Sequence, residues 1–278
     1  MSEDSYLPFW MKGRENAFPQ SARAIEHCRR EIATGLRALG IKENSTILMH
    51  TSVRSFGFIE GGVQTLIEAL KLAVGESGNL IVPTLTGSEK LSPQNPPVFD
   101  VLKTPCWTGL LPETFRKQPG AIRSLHPTHS VSVMGSDARE LIKAHELSLT
   151  PCGKETPYYR LAEKNGKVVC FGVNFESVTL FHTIEELAEV PYHLQPDLVE
   201  ATVIDYLGNT RKVKLLIHKY GDERMFSRME PIFEEMGVVK KDKVLRSLTR
   251  VIEAKPLIEL TLERLKKNPF YLLKRTSP

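Results

Sequence analysis

Within Val178–Glu189, VTLFHTIEELAE, a hydroxyl, an imidazole and two carboxylates recur at Thr179, His182, Glu185 and Glu186. On a helix, Thr179 and His182 share one face with either Glu185 or Glu186, at offsets of three and of six or seven. A carboxylate one turn from an imidazole fixes its tautomer and supports the imidazolium, which is what a general base requires. A hydroxyl one turn the other way can donate to a developing oxyanion. The same spacing also suits an ordinary amphipathic helix whose histidine satisfies a local hydrogen bond. Spacing alone leaves both readings open.

A second segment, HTSVRSFGFIEGG (His50–Gly62), follows one β-rich run and precedes a helix-like one. The hydroxyls of Thr51, Ser52 and Ser55, the guanidinium of Arg54 and glycines 57, 61 and 62 give a donor-rich, flexible backbone. That composition suits a phosphorylated ligand at a helix N-terminus. It has neither the Walker nor the Rossmann glycine pattern, so neither a nucleoside triphosphate nor a dinucleotide is specified. In the third segment, Thr108–Ser130, His126 and His129 lie three apart with Pro127 between them. With no third ligand nearby, they predict hydrogen bonding or a structural role rather than zinc. Cys28, Cys106, Cys152 and Cys170 are far apart and form no C-x-x-C, so they read as core thiols. No metal is expected.

These segments need a frame that brings them together. From Ser21 to Leu39 apolar residues recur at 25, 28, 32, 36 and 39, one helical face, with Gly40 just past its end. TILMH (46–50), a helical run over 63–74 and NLIVP (79–83) read as a βαβ unit, hence a parallel pair. Helices are predicted over 110–117, 137–146, 179–189, 223–236 and 254–267, with an extended run at VSVMG (131–135). KVVCFGV (167–173) reads as a strand buried on both faces. Residues 200–217 read as a hairpin turning at Gly208-Asn209, and 88–105 as a long ordered loop. In such α/β chains the site lies beyond the C-terminal ends of the strands, where all three segments fall.

With 278 residues, 41% of them hydrophobic and 25% charged, the chain can bury a sizeable core. No apolar run approaches the roughly 18–20 residues that span a bilayer. MSEDSYLPFWMKGR has no apolar stretch or small-residue cleavage site, which predicts no secretory signal and a cytoplasmic protein without a membrane partner. The net charge of +4 hides an asymmetry, because residues 209–278 carry 17 Lys and Arg against 9 Asp and Glu. There the basic residues alternate with apolar ones at strand or helix spacing, a solvated face rather than a nucleic-acid patch.

Taken in order, the segments resemble the aminoglycoside 3-N-acetyltransferase family from about residue 20 to residue 270. HTSVRSFGFIEGG is similar to its H-S-S-x-R-S-x-G…G-G, and GNLIVPTLT to its G-T-L-x-x-P-T. TPCWTGLLPETFRKQPGAIRSLHPTHSVSVMG is similar to its T-P…G-x-L-x-E-x-F-R…P-G-x-x-R-S-x-H-P-x-x-S…G, and VTLFHTIEELA to its T-x-x-H-x-x-E. The resemblance implies an antibiotic-acetyltransferase fold, one α/β domain over 1–278 with a central mixed sheet and helices on both faces. Residues 1–20 would then be an N-terminal extension, and the basic 209–278 portion would pack on the same domain. It also implies acetyl transfer from acetyl-coenzyme A to an amine without an acyl-enzyme, with antibiotic resistance as one outcome.

By position, the resemblance assigns the oxyanion hydroxyl to Thr179, the base to His182 and its acid to Glu185. It assigns coenzyme A binding to His50, Thr51, Ser52, Val53, Arg54, Ser55, Phe56 and Gly57, with Arg123 and Ser124 nearby, in a monomer or homodimer. Two departures stand out: Lys154 replaces the family's usual Glu in Gly153–Pro157, and Ile184 stands where Ala is common. Lys154 adds positive charge where a polycationic acceptor wants acid. A biosynthetic amine is therefore an alternative acceptor. From other classes, a thioester hydrolase and an acyl-CoA-binding protein remain, the first disfavoured by the lack of a G-x-S-x-G elbow.

Overall fold

The alternation of side chains along two central strands organises the molecule. In the computed structural model, which describes residues 21–274, helix α1 (Ala22–Ala38) starts at Ser21, whose Oγ accepts from Ala24 N at 3.1 Å. Strand β1 (Thr46–Thr51), helix α2 (Gly62–Val74) and strand β2 (Asn79–Pro83) form the anticipated parallel βαβ unit. Then come β3 (Val98–Asp100), α3 (Leu110–Phe115), β4 (Ile122–Arg123), β5 (Val131–Gly135), α4 (Ala138–Ile142), α5 (Pro157–Glu163), β6 (Lys167–Phe171) and α6 (Leu180–Leu187). The chain closes with β7 (Val199–Ile204), β8 (Thr210–Leu215), α7 (Glu230–Glu235), β9 (Val239–Val244), β10 (Ser247–Glu253) and α8 (Ala254–Lys267). The predicted N-terminal extension and the reading of its first residues lie outside the described residues.

Seven strands form a mixed sheet in the order β4-β5-β2-β1-β6-β10-β9, with β1 parallel to both β2 and β6. Because side chains alternate along a strand, Ile47 and Met49 of β1 face α1 and α2, whereas Leu48 faces α5, α6 and α8. Val169 and Phe171 of β6 join the first cluster, and Val168 and Cys170 join the second. Both faces of the sheet are thus covered, as apolar parallel strands require. The same period puts His50 on Leu48's side of the sheet, toward α6. No described helix is long and apolar enough to cross a membrane.

Besides the unpredicted α5 and the shortening of the 137–146 helix to α4, three features differ from the sequence-based expectation. A second sheet, β3-β7-β8, adds a strand inside the predicted 88–105 loop and carries its own core of Phe99, Val199, Ala201, Val203 and Leu215. The helix predicted over 223–236 shrinks to α7 after a 3-10 turn, Phe226–Met229. Pro231 explains this: it lacks an N–H and clashes one turn back, so it can begin a helix but not continue one. The β9–β10 hairpin has no counterpart in the expectation, because β9 is VKKDKV, an edge strand whose four middle residues face solvent. Charge on an edge strand blocks further pairing, and it hides the strand's periodicity.

Candidate active site

Strands β1 and β6 end side by side, with His50 opposite Cys170 and Thr51 opposite Phe171. From β6 the chain passes through a 3-10 turn, Phe175–Ser177, and enters α6 with Thr179 as its N-cap. Thr179 makes no side-chain cap; instead its N–H donates to His50 Nε2 at 3.3 Å. His50 therefore satisfies one of the orphan donors at the helix start and fixes α6 against β1. One turn on, His182 Nδ1 lies 2.7 Å from Glu185 Oε2. The His182 side chain keeps 25% of its surface exposed, while Glu185 has none.

Glu185 is held from three directions. His193 Nδ1 lies 3.0 Å from Oε2, and Arg224 Nε donates to Oε1 at 3.4 Å. Burial would raise its pKa, but the bonds to His182 and His193 overcome that and hold the carboxyl well below its usual range. His193 is likewise penalised by burial, yet Glu185 and Glu186 raise its pKa above that of an ordinary imidazole. For His182 the balance goes the other way: enclosure outweighs Glu185, and His193 and Arg224 add to the lowering. His50 is pushed down to about 3, first by burial and then by His182, so it accepts from Thr179 as a neutral ring. The site thus holds a neutral, accessible imidazole on a buried carboxylate that stays ionised.

His182, Thr179, His50 and Thr51 line one cleft of about 370 Å³, together with Trp107 and Glu176. Thr51 Oγ1 is buried with no hydrogen-bond partner. The rest of the 50–57 segment does not line this cleft. Phe56 packs in the core against Phe171, with ring centroids 5.2 Å apart. Ser55 Oγ is tied to Ser52 O and Ser247 Oγ, both at 2.7 Å. Val53 packs against the core, Ser52 N donates to Phe171 O, and Arg54 projects from the surface. Gly57 takes φ +74, a conformation that a side chain resists and that Arg246 Cδ would crowd at 3.0 Å.

Arg123 and Ser124 are also placed away from the cleft. The Arg123 guanidinium is buried over the Phe99 ring and donates to Thr84 Oγ1, Ser130 Oγ and the carbonyls of Thr84 and Thr104. Ser124 Oγ accepts from Val131 N and bonds His145 Nδ1. The guanidinium donors of Arg123 are thus taken up by its protein neighbours, and neither Arg123 nor Ser124 lines this cleft. Lys154 lines a second cavity, of about 570 Å³, together with Glu186, Glu189 and His193. Sequence reasoning missed His193 and Arg224, which carry no local signal, and Trp107 and Glu176, whose flanking motifs could have pointed to the cleft.

Residues 48–266 match the aminoglycoside 3-N-acetyltransferase family. The chain belongs to this family. Aminoglycoside N(3)-acetyltransferase VII of Streptomyces paromomycinus is 32% identical over 192 residues, which cover 64% of this chain and 66% of that protein. Aminoglycoside N(3)-acetyltransferase IV of Salmonella sp. is 29% identical over 245 residues, 87% of this chain and 89% of that one. The match thus spans just under two thirds of the first of these acetyltransferases and most of the second. Among solved structures, a mutant of aminoglycoside acetyltransferase AAC(3)-IVa in complex with a gentamicin superimposes with a TM-score of 0.75 at 26% identity, covering 89% of this chain and 91% of that one. In this acetyltransferase-family chain, α6 and its N-cap carry the T-x-x-H-x-x-E motif, with Thr179 and His182 lining the cleft and Glu185 buried.

Proposed function

We propose that this chain transfers the acetyl group of acetyl-coenzyme A directly to an amine of an aminoglycoside or a related amino sugar, with His182 as general base. The observation that carries the reading is the 2.7 Å contact of a cleft-lining His182 with a fully buried Glu185. Family membership supports the donor and the acceptor class. An acceptor amine is largely protonated near neutrality, since such groups titrate near 10. One proton of the ammonium passes to solvent, which frees the nitrogen lone pair; with Nδ1 donating to Glu185, His182 then presents a bare Nε2 that can remove a second proton as the nitrogen attacks the thioester carbonyl. The Thr179 hydroxyl, at the same cleft, is the donor for the oxyanion. Collapse expels the coenzyme A thiolate, which takes up the proton that His182 holds. Glu176 provides a carboxylate for a cationic acceptor at this cleft; one of its oxygens accepts from Ser227 N and Oγ.

The test is release of free thiol from acetyl-coenzyme A across a panel of aminoglycosides, amino sugars and simple amines, with mass spectrometry of the products. The expected product is a mono-acetylated aminoglycoside or amino sugar. The rate should rise with pH through an apparent pKa below the ordinary imidazole value of 6.5, because enclosure lowers that of His182. Thiol release without any acceptor would make the chain a thioester hydrolase. Acetylation confined to simple amines would refute the acceptor class.

A further inference from the structure

Behind the cleft lies a second group of side chains that acetyl transfer does not use. His129, Cys152 and His218 are all buried, and one ligand atom of each lies within 4.8 Å of the other two. The Glu186 carboxylate borders them: Oε1 accepts from Cys152 N at 2.9 Å and lies 3.9 Å from His218 Nε2. Two buried atoms of this group, His218 Nε2 and Glu186 Oε2, have no hydrogen-bond partner. A buried imidazole nitrogen and carboxylate oxygen left bare are costly, and such groups are normally paired or bound to a metal.

We propose that His129, Cys152, Glu186 and His218 bind one zinc ion as a structural site next to the His182–Glu185 pair. One thiolate, two imidazoles and a carboxylate are a zinc donor set. Bonds of about 2.0–2.3 Å put tetrahedral ligands roughly 3.4–3.8 Å apart, so the ligand atoms of His129, Cys152 and His218 close on an ion with movements of about an ångström, and a turn of the Glu186 side chain completes the set. The charges also balance, because a dication with one thiolate and one carboxylate is neutral, as a buried site should be. Binding displaces the Cys152 thiol proton to solvent, and His129 and His218 each ligate through a neutral ring nitrogen. Outer contacts are in place as well: Thr128 Oγ1 bonds His129 Nδ1 at 3.0 Å, the kind of partner that orients a ligating imidazole. Gly153 leaves room for the acid, since a Cβ there would lie 3.2 Å from Glu186 Oε2.

The neighbouring set His182, His193 and His218 is equally close. It would consume the accessible imidazole already bound to Glu185, and it offers no thiolate. The chosen four come from four separate segments, so the ion would tie α6 to the loops before β5, before α5 and after β8. The spacing argument against zinc at His126 and His129 weighed only near neighbours, and the other ligands are 23 to 89 residues from His129.

Metal analysis tests this without any turnover, so its outcome is separate from that of the acetyl-transfer reading. Tag-free protein from zinc-containing medium should retain about one zinc per chain through desalting. Cys152→Ala and His218→Gln should each cut that content to about a tenth or less, whereas His27→Gln, at an exposed histidine, should not. A strong chelator should lower the Tm of the wild type, with recovery on adding zinc, and leave the variants unmoved. Should either variant fail to fold, wild-type protein grown with cobalt should show a thiolate-to-cobalt charge-transfer band and tetrahedral d–d bands. Wild-type protein that holds only traces of zinc and shows no cobalt band would overturn the proposal.

Discussion

His182 and His218 lie edge to face, ring centroids 4.7 Å apart, yet they belong to different chemistry. His182 looks into the cleft, keeps a quarter of its surface exposed, and has an ionised carboxylate on Nδ1. His218 is buried against His129 and His193, its Nε2 unpartnered and its pKa pushed well below that of an ordinary imidazole by burial. Two side chains in contact thus differ in what they can do because one has a hydrogen-bonded carboxylate and an opening to solvent, and the other has neither. Residue type marks a histidine as a candidate; the carboxylate and the opening decide its role.

The largest test of that contrast sets His182 against a histidine of the buried side. His182→Ala should lower kcat by about 10²–10⁴-fold with coenzyme A affinity nearly unchanged, the loss expected when a positioned base is removed. His145→Ala should do the reverse. It deletes a fully buried ring that bonds Ser124 and stacks on His126 at 4.7 Å, so kcat should hold while stability falls by about 1–3 kcal/mol. Steady-state kinetics and urea unfolding on the same two variants separate the cases.

Two arginines extend the comparison. Arg123→Met should destabilise the fold, because it strips donors from the buried carbonyl of Thr84, worth about 1–3 kcal/mol, and from the part-buried carbonyl of Thr104, while the KM for acetyl-coenzyme A stays put. Arg54→Ala removes an exposed guanidinium beside the cleft strand, so KM should rise severalfold and Tm should not move. If the Arg123 variant loses cofactor affinity instead, the division between the two regions fails.

The smallest effect is expected at Glu113. Burial alone would raise its pKa, but hydrogen bonds from Arg116, Lys117 and Cys106 N bring it down to about 2. A folded pKa below the unfolded value of 4.5 means stability that is present above pH 4.5 and lost as pH falls toward about 2. Glu113→Gln should therefore be less stable than wild type at neutral pH and converge with it across that window, as urea midpoints at a series of pH values would show.

Much of this was legible in the residues. The βαβ unit over 46–83, the buried strand at 167–171 and a face joining Thr179 and His182 to an acid at 185 or 186 follow from period and spacing, and the family motif picks Glu185. Legibility stops where partners come from afar. Nothing near His193 or Arg224 signals that both converge on Glu185, and nothing in RSLH shows that Arg123 turns inward onto Phe99. The family motif treats 50–57 as one stretch, and it does not show that alternation along β1 and the turn after it bring His50 and Thr51, but not 52–57, to the lining of this cleft. Lysines on an edge strand concealed β9 because its periodicity serves solvent rather than a core.

The central claim is that His182 and Glu185 act as one base, and a double-mutant cycle on kcat tests it most directly. His182→Ala, Glu185→Gln and the pair are assayed with one acceptor at saturating acetyl-coenzyme A, each variant first shown to be folded. For groups that work as a unit, the double variant should lose about as much rate as His182→Ala alone. Losses that multiply, or a His182→Ala enzyme that keeps more than about a tenth of wild-type kcat, would contradict it.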